Sequence, residues 1–186
     1  MLLFKMFRRG GRAMDPLQVS MTGVRMGERF LQIGCDDRAL LAGLAAKVGL
    51  SGTAAVATLD AASAKRAAAV GVKVGALIDV RPISGHDLPF ERDQFDMVVV
   101  DDTSGAFAGL APEPRLSYLR AARRVVRTGG RIEVVEGIGG SITRGAGYDI
   151  VTDLEGAGFK PVRALAERDG FRFIEGLKPN LREEPS

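Results

Sequence analysis

The chain predicts one α/β domain: a mostly parallel sheet with helices on both faces and an antiparallel hairpin at its end. Three observations predict it. Apolar strand-like runs alternate with helical patterns from Arg29 to Glu136, the rhythm of βαβ units joined by right-handed crossovers. Phe95-Asp96-Met97-Val98-Val99-Val100 is a nearly continuous apolar run, which a strand carries when its sheet is covered on both faces. Asp169-Gly170 separates two further strand-like stretches and is a hairpin turn signal, because glycine tolerates positive φ.

Each element has its own signal. Arg29 to Gly34 reads as a buried strand closed by glycine. Ala39, Leu40, Leu44, Ala45 and Val48 then fall at helical spacing, and Gly49 ends that helix. Thr53 to Leu59 is a second strand, and the alanine-rich stretch Ala61 to Val70 a second helix that stops at Gly71. A third strand is expected within Val72 to Val80, and Pro82 to Pro89 as a loop. After the Phe95 strand, Leu116, Leu119, Ala122, Arg123 and Val126 form a mostly apolar helical stripe, with Arg120, Arg124 and Arg127 on the solvent face. Gly129-Gly130 is expected to cap that helix and Arg131 to Glu136 to form the fifth strand. A helix around Tyr148 to Ala157 precedes the hairpin strands, Lys160 to Ala166 and Phe171 to Leu177.

The bulk composition narrows the function classes. A length of 186 residues suits one domain with a real core. The lone Cys35 excludes an internal disulfide, and one histidine with one cysteine excludes a zinc constellation; no metal is expected, and the chain is expected in the cytoplasm. Lys5, Arg8, Arg9 and Arg12 outweigh the net charge of +3, so the remaining body is near neutral and carries no strong nucleic-acid signal. Residues 1–13 mix apolar and basic side chains in a run too short to span a bilayer. They are expected to be a mobile leader, with a weak membrane-surface contact as the alternative. The domain is expected over residues 14–179 and a polar tail over 180–186.

From Asp15 to Pro179 the chain resembles the class I S-adenosylmethionine-dependent methyltransferases, especially their compact small-molecule branch. The resemblance is carried by Leu88-Pro89-Phe90, by Phe95-Asp96-Met97-Val98-Val99, and by Tyr118 to Arg131, where Thr128 replaces the proline of a Pro-Gly-Gly turn. Leu154-Glu155-Gly156-Ala157-Gly158-Phe159 is similar to the family's L-x-x-A-G-F entry to its last two strands. It implies a Rossmann-like methyltransferase domain with a seven-stranded sheet, its last strand antiparallel. It further implies S-adenosylmethionine bound at the carboxyl ends of the first strands.

Set against the family's first motif, an acidic residue followed by G-x-G-x-G, the loop here is Gln32-Ile33-Gly34-Cys35-Asp36-Asp37-Arg38. Gly34 matches and Asp37 stands where many relatives have aspartate. Gln32 replaces the acidic residue that helps to hold the ligand's ammonium. Asp36 and Arg38 replace glycines that let backbone approach the ligand without a Cβ. Two readings of Asp36 stay open: a carboxylate that takes over the ammonium contact, or a loop that has ceased to bind a nucleotide. The resemblance places Thr58 at the ribose-binding position that is usually acidic, followed by Leu59 and Asp60; Asp60 also suits a helix N-cap. It places His86-Asp87-Leu88 against the adenine, while a solvated His86 is the plainer reading. The cofactor-contacting set is therefore Gln32, Gly34, Cys35, Asp36, Asp37, Thr58, Leu59, Asp60, Asp87 and Leu88. Asp101 and Asp102, at the end of the fourth strand, are candidates for a general base, with loop capping as the other reading.

The expected function is methyl transfer to an acceptor, small or macromolecular, that the residues do not identify. The alternative is a methyltransferase-like domain that binds a partner without catalysis. A nicotinamide-dependent oxidoreductase is disfavoured, because G-x-G-x-x-G is absent and the terminal hairpin is foreign to that sheet.

Overall fold

Residues 16–139 and 142–180 are described in the computed structural model of the chain, apart from the side chains of residues 17 and 18. The expected leader and residues 181–186 of the polar tail lie outside them. Strands and helices alternate before the hairpin, except that a loop joins the third strand to the fourth: α1 (Pro16–Met21), β1 (Arg29–Ile33), α2 (Arg38–Val48), β2 (Thr53–Thr58), α3 (Ala61–Val74), β3 (Ile78–Pro82), β4 (Phe95–Asp102), α4 (Pro112–Val125), β5 (Val126–Gly137), α5 (Ile150–Gly156), β6 (Val162–Arg168) and β7 (Phe171–Leu177). The seven strands lie in the order β3-β2-β1-β4-β5-β7-β6. β1 through β5 pair in parallel, and β7 runs antiparallel to both β5 and β6. Asp169 and Gly170 turn the hairpin with φ of 52° and 89°.

Alternation along the strands splits the core between the two faces. Leu31, Val98, Val100, Ile132 and Ile174 pack against Leu119 and Ala122 of α4, Leu154 of α5 and the nearby Phe159. Phe30, Met97, Val99, Val135 and Phe173 pack against Val19, Leu40, Leu44 and Ala67 of α1, α2 and α3. α1 had no clear signal in the sequence. It seats Val19 against Gly43 of α2, where an added Cβ would stand 2.5 Å from the valine.

Several boundaries differ from those the sequence suggested. α3 does not stop at Gly71 but runs on to Val74 and ends at Gly75 in the left-handed region. Gly71 lies where α3 meets the chain entering β3, and an added Cβ would stand a tight 3.0 Å from the Ala76 carbonyl oxygen. β3 consequently starts at Ile78, at the sheet edge. Gly129-Gly130 does not cap α4: the chain passes from helix to strand at Val126, and both glycines lie inside β5. α5 is shorter than expected, because Asp149 caps it by accepting from the Val151 and Thr152 amides.

The strand order fixes where a site can form. From β1 the chain winds outward through β2 and β3; it then returns to β4, on the other side of β1, and winds the opposite way. The loops leaving β1 and β4 therefore diverge to opposite faces and leave a crevice between them, the usual ligand position in an open α/β sheet.

Candidate functional site

That crevice holds a cavity, open to solvent, lined by Ile33, Gly34, Asp36, Leu59, Asp60, Ser63, Val100, Asp101, Ala106, Phe107, Leu110 and Tyr118. Its walls are polar on the side of the β1 and β2 loops and apolar on the side of the segment after β4.

The loop after β1 turns at Gly34, whose φ is 84°. The turn therefore favours glycine, and the approach to β4 is tight as well, since a Cβ there would lie 3.3 Å from the Asp101 carbonyl. Neither Asp36 nor Arg38 adopts positive φ. The missing glycines thus impose no backbone strain in this loop. Asp36 lines the cavity while its carboxylate accepts from Ser104 Oγ and pairs with Arg66 at 3.5 Å. Arg66 also donates to the Cys35 carbonyl at 2.9 Å and to Ser63 Oγ at 2.7 Å, fastening the loop to α3. Asp37 faces away as the N-cap of α2, accepting from the amides of Ala39 and Leu40. Cys35 is fully buried, and burial pushes its thiol up to about 11.

Asp101 occupies the floor between the two loops and is almost fully buried. One carboxylate oxygen accepts from the Asp36 and Asp37 amides, each at 2.8 Å, and from Gln32 Nε2 at 3.4 Å. The other accepts from Thr103 Oγ1 at 2.6 Å and the Thr103 amide at 3.3 Å. Burial pushes its carboxyl up to about 6, against the downward pull of these donors. The same geometry accounts for Gln32. Its amide is buried, donates to the Gly34 carbonyl at 3.1 Å, and can face Asp101 without repulsion. An acidic side chain at position 32 would press a second carboxylate onto Asp101, where both could not ionise.

At the end of β2, Thr58 is buried and its hydroxyl has no hydrogen-bond partner among the described residues. Leu59 is exposed on the cavity wall. Asp60 does two things: it caps α3 by accepting from the Ser63 amide at 2.7 Å and from Ser63 Oγ at 3.0 Å, and it lines the cavity. Those hydrogen bonds to Ser63 hold its carboxyl below the usual range.

Asp87 and Leu88 are not on the cavity wall. Leu88 is buried in the core, and Asp87 is exposed and accepts from Arg124 at 2.8 Å. Arg124 also donates to the Leu88 and Phe90 carbonyls, so the whole loop is tied to α4. His86 stacks edge-on against Tyr118, with 5.2 Å between ring centroids. Tyr118 is the residue through which this region reaches the cavity. Asp102 accepts from the Phe107 and Ala108 amides and shapes the segment after β4; burial pushes its carboxyl up to about 6. The sequence reading missed Ile33, Ser63, Val100, Ala106, Phe107, Leu110 and Tyr118 as lining residues. Tyr118 stood at the start of the Tyr118 to Arg131 segment that carries the resemblance, but nothing there marked it as facing a cavity.

Gly34, Asp36, Leu59, Asp60 and Asp101 are thus brought together, while Gln32, Cys35, Asp37 and Thr58 stand just behind them. An open parallel sheet with a cavity at its switch point, a single glycine turn under it and an acidic group after β2 defines a nucleotide-binding α/β domain. The methyltransferase domain family matches residues 31–134, more than half of the chain, and the chain belongs to that family. Its sheet, with the last strand antiparallel, is that of the S-adenosylmethionine-dependent class I members.

Solved structures agree in fold. An S-adenosylmethionine-dependent methyltransferase from Aquifex aeolicus superposes with a TM-score of 0.71 over 89% of this chain and 90% of its own, at 17% identity. PigF, solved with SAH, gives 0.62 over 81% of this chain at 22% identity, and this chain spans 50% of PigF. The cyclase SpnF gives 0.67 over 91% of this chain and 85% of its own, at 15% identity. No curated protein sequence matches the chain.

Proposed function

We propose that the chain binds S-adenosylmethionine in the cavity between the β1 and β4 loops and passes its methyl group to an acceptor. When bound, the cofactor supplies a methyl group on a sulfonium, which is transferred by direct displacement. The observation that carries this reading is the position and lining of the cavity. The turn at Gly34 exposes loop backbone to it, Asp36 and Asp60 present carboxylates, and Leu59, Phe107, Leu110 and Tyr118 supply apolar surface.

The loop from Gly34 to Asp37 would hold the amino-acid end of the cofactor, with Asp36 toward the ammonium as a charge-assisted contact. Asp60 would reach the ribose hydroxyls, with Thr58 and Leu59 behind it. Leu59 and Tyr118 would flank the base, and Asp87 and Leu88 would support that side through the loop tied to α4.

Displacement at a sulfonium needs alignment above all. Asp101 has its lone pairs engaged by five donors and Asp102 is not on the cavity wall, so neither is placed to take a proton from the acceptor. The chain's contribution is positioning and exclusion of water by the Phe107 side. The acceptor is unidentified, small or macromolecular. A cytoplasmic location is part of the proposal; among the described residues no helix is long and apolar enough to cross a membrane.

Titration of S-adenosylhomocysteine into isotopically labelled protein tests the site. The largest amide shifts are expected at Gly34, Asp36, Leu59 and Asp60. Shifts confined to the Ala42 and Lys73 end of the adjoining groove, which α2 and α3 line, would contradict it.

A further inference from the structure

We propose that Asp101 is the positioning residue of the cofactor loop: its ionised carboxylate, reaching across from β4, holds the backbone between Gly34 and Arg38 in the shape that binds the cofactor. The inference rests on the cofactor reading above and goes a step beyond it.

The geometry demands a charge. Two backbone N–H groups converge on one oxygen at 2.8 Å each, while Thr103 supplies two donors to the other and Gln32 Nε2 faces the first at 3.4 Å. Each of its hydrogen-bond partners donates to it, and of these only the Thr103 hydroxyl could reverse and accept. A protonated acid, or the amide of asparagine, would turn one of its own donors toward these groups and leave buried N–H unpaired. Among the described residues nothing else accepts from the same amides. Asp36 spends its side chain on Ser104 and Arg66, and Asp37 spends its own on the α2 cap. Asp36, which stands in place of a glycine, and its neighbour Asp37 are therefore held from outside the loop, by the neighbouring strand.

Loop order then follows the ionisation of Asp101, with the burial-raised value near 6 setting the window. The charged groups facing it are few. Asp36 and Asp60 share the cavity, Arg66 of α3 and Arg38 of α2 flank the loop, and Cys35 stays protonated because burial raises its thiol. Asp102, the adjacent residue, titrates in the same range but bonds the Phe107 and Ala108 amides instead, so it must be separated by mutation. Sign follows directly: the carboxylate form builds the loop, so the loop and its affinity are present above the transition and lost as pH falls through it.

Two measurements on the full chain test this. In ligand-free protein, the Asp36 and Asp37 amide resonances are expected downfield near pH 8. They should move upfield together on acidification to about pH 5, with one midpoint. D101N should abolish that step, and D102N should keep it. In calorimetry with S-adenosylhomocysteine, wild-type affinity is expected to fall by about tenfold to a hundredfold over the same range, the loss of a charge-assisted contact. D101N should bind as weakly at pH 8 as wild type does at pH 5. Amide shifts that are the same in D101N and wild type overturn the proposal, whatever the ligand does. So does a step that disappears in D102N alone, or full affinity in D101N. If the amides titrate as described and wild-type protein binds no S-adenosylhomocysteine at either pH, the loop assignment stands and the cofactor reading fails.

Discussion

Glu133 is fully buried in the middle of β5, neither of its carboxylate oxygens has a hydrogen-bond partner among the described residues, and it pairs across the sheet with Glu175 of β7. Burial, with the nearby Glu175 adding to it, pushes its carboxyl up to about 9; Arg131 and Arg163 pull the other way. It is a neutral acid at physiological pH. An unfolded chain would ionise it near the usual 4.5, so between those values the unfolded state binds fewer protons and stability falls as pH rises. Glu133→Gln keeps the shape and removes the titration. Its melting temperature should exceed that of wild type near pH 8.5, and the difference should shrink toward pH 4.5; an equal difference at both pH values would rule the mechanism out. Nothing in the sequence marks Glu133, because a strand pattern shows which face a residue lies on but not whether a partner waits there. Asp36 was similarly ambiguous. Read alone it is either a ligand contact or a lost glycine, and only the proximity of Ser104, Arg66 and Asp101 shows that the loop tolerates it without strain.

At the scale of elements, the strands were legible because buried parallel strands are runs of apolar residues, and β1, β2, β4 and the β6–β7 hairpin fall within a few residues of where the pattern put them. Helix ends were less legible. A glycine stops a helix only where the chain needs the left-handed region or an exit, so Gly71 passes inside α3 and Gly75 ends it. The connection between α4 and α5 was invisible, since it rests on a charged residue in the core. Arg115 is fully buried on α4, donates to Asp153 of α5 at 2.8 Å and to the Leu110 carbonyl at 2.6 Å, and lies 5.1 Å from the centre of the Tyr148 ring. The Leu110 contact also ties the helix to the cavity wall. Breaking one side of such a pair costs about 3–5 kcal/mol when both members are buried. Asp153 keeps some solvent contact, so Arg115→Ala is expected at the lower end, about 3 kcal/mol, read as a shift of the urea midpoint with an unchanged slope. A loss below about 1 kcal/mol would mean the contacts are replaceable by water.

For the molecule as a whole, the order of strands decides where a ligand can sit, and the residues at that place decide what it is. The same fold carries the cyclase SpnF, so architecture alone does not assign the chemistry. Membership of the methyltransferase domain family assigns the class, and in the proposed reading the strain-free loop over Asp101 would let an altered motif keep the class's cofactor. The most direct measurement is calorimetric titration of the full chain with S-adenosylmethionine and S-adenosylhomocysteine near pH 8, beside NADH. Both methionine-derived ligands are expected to bind between micromolar and millimolar, about −4 to −8 kcal/mol, with no heat from NADH. A folded protein that gives no heat with either ligand at millimolar concentration, or that binds NADH alone, would contradict it.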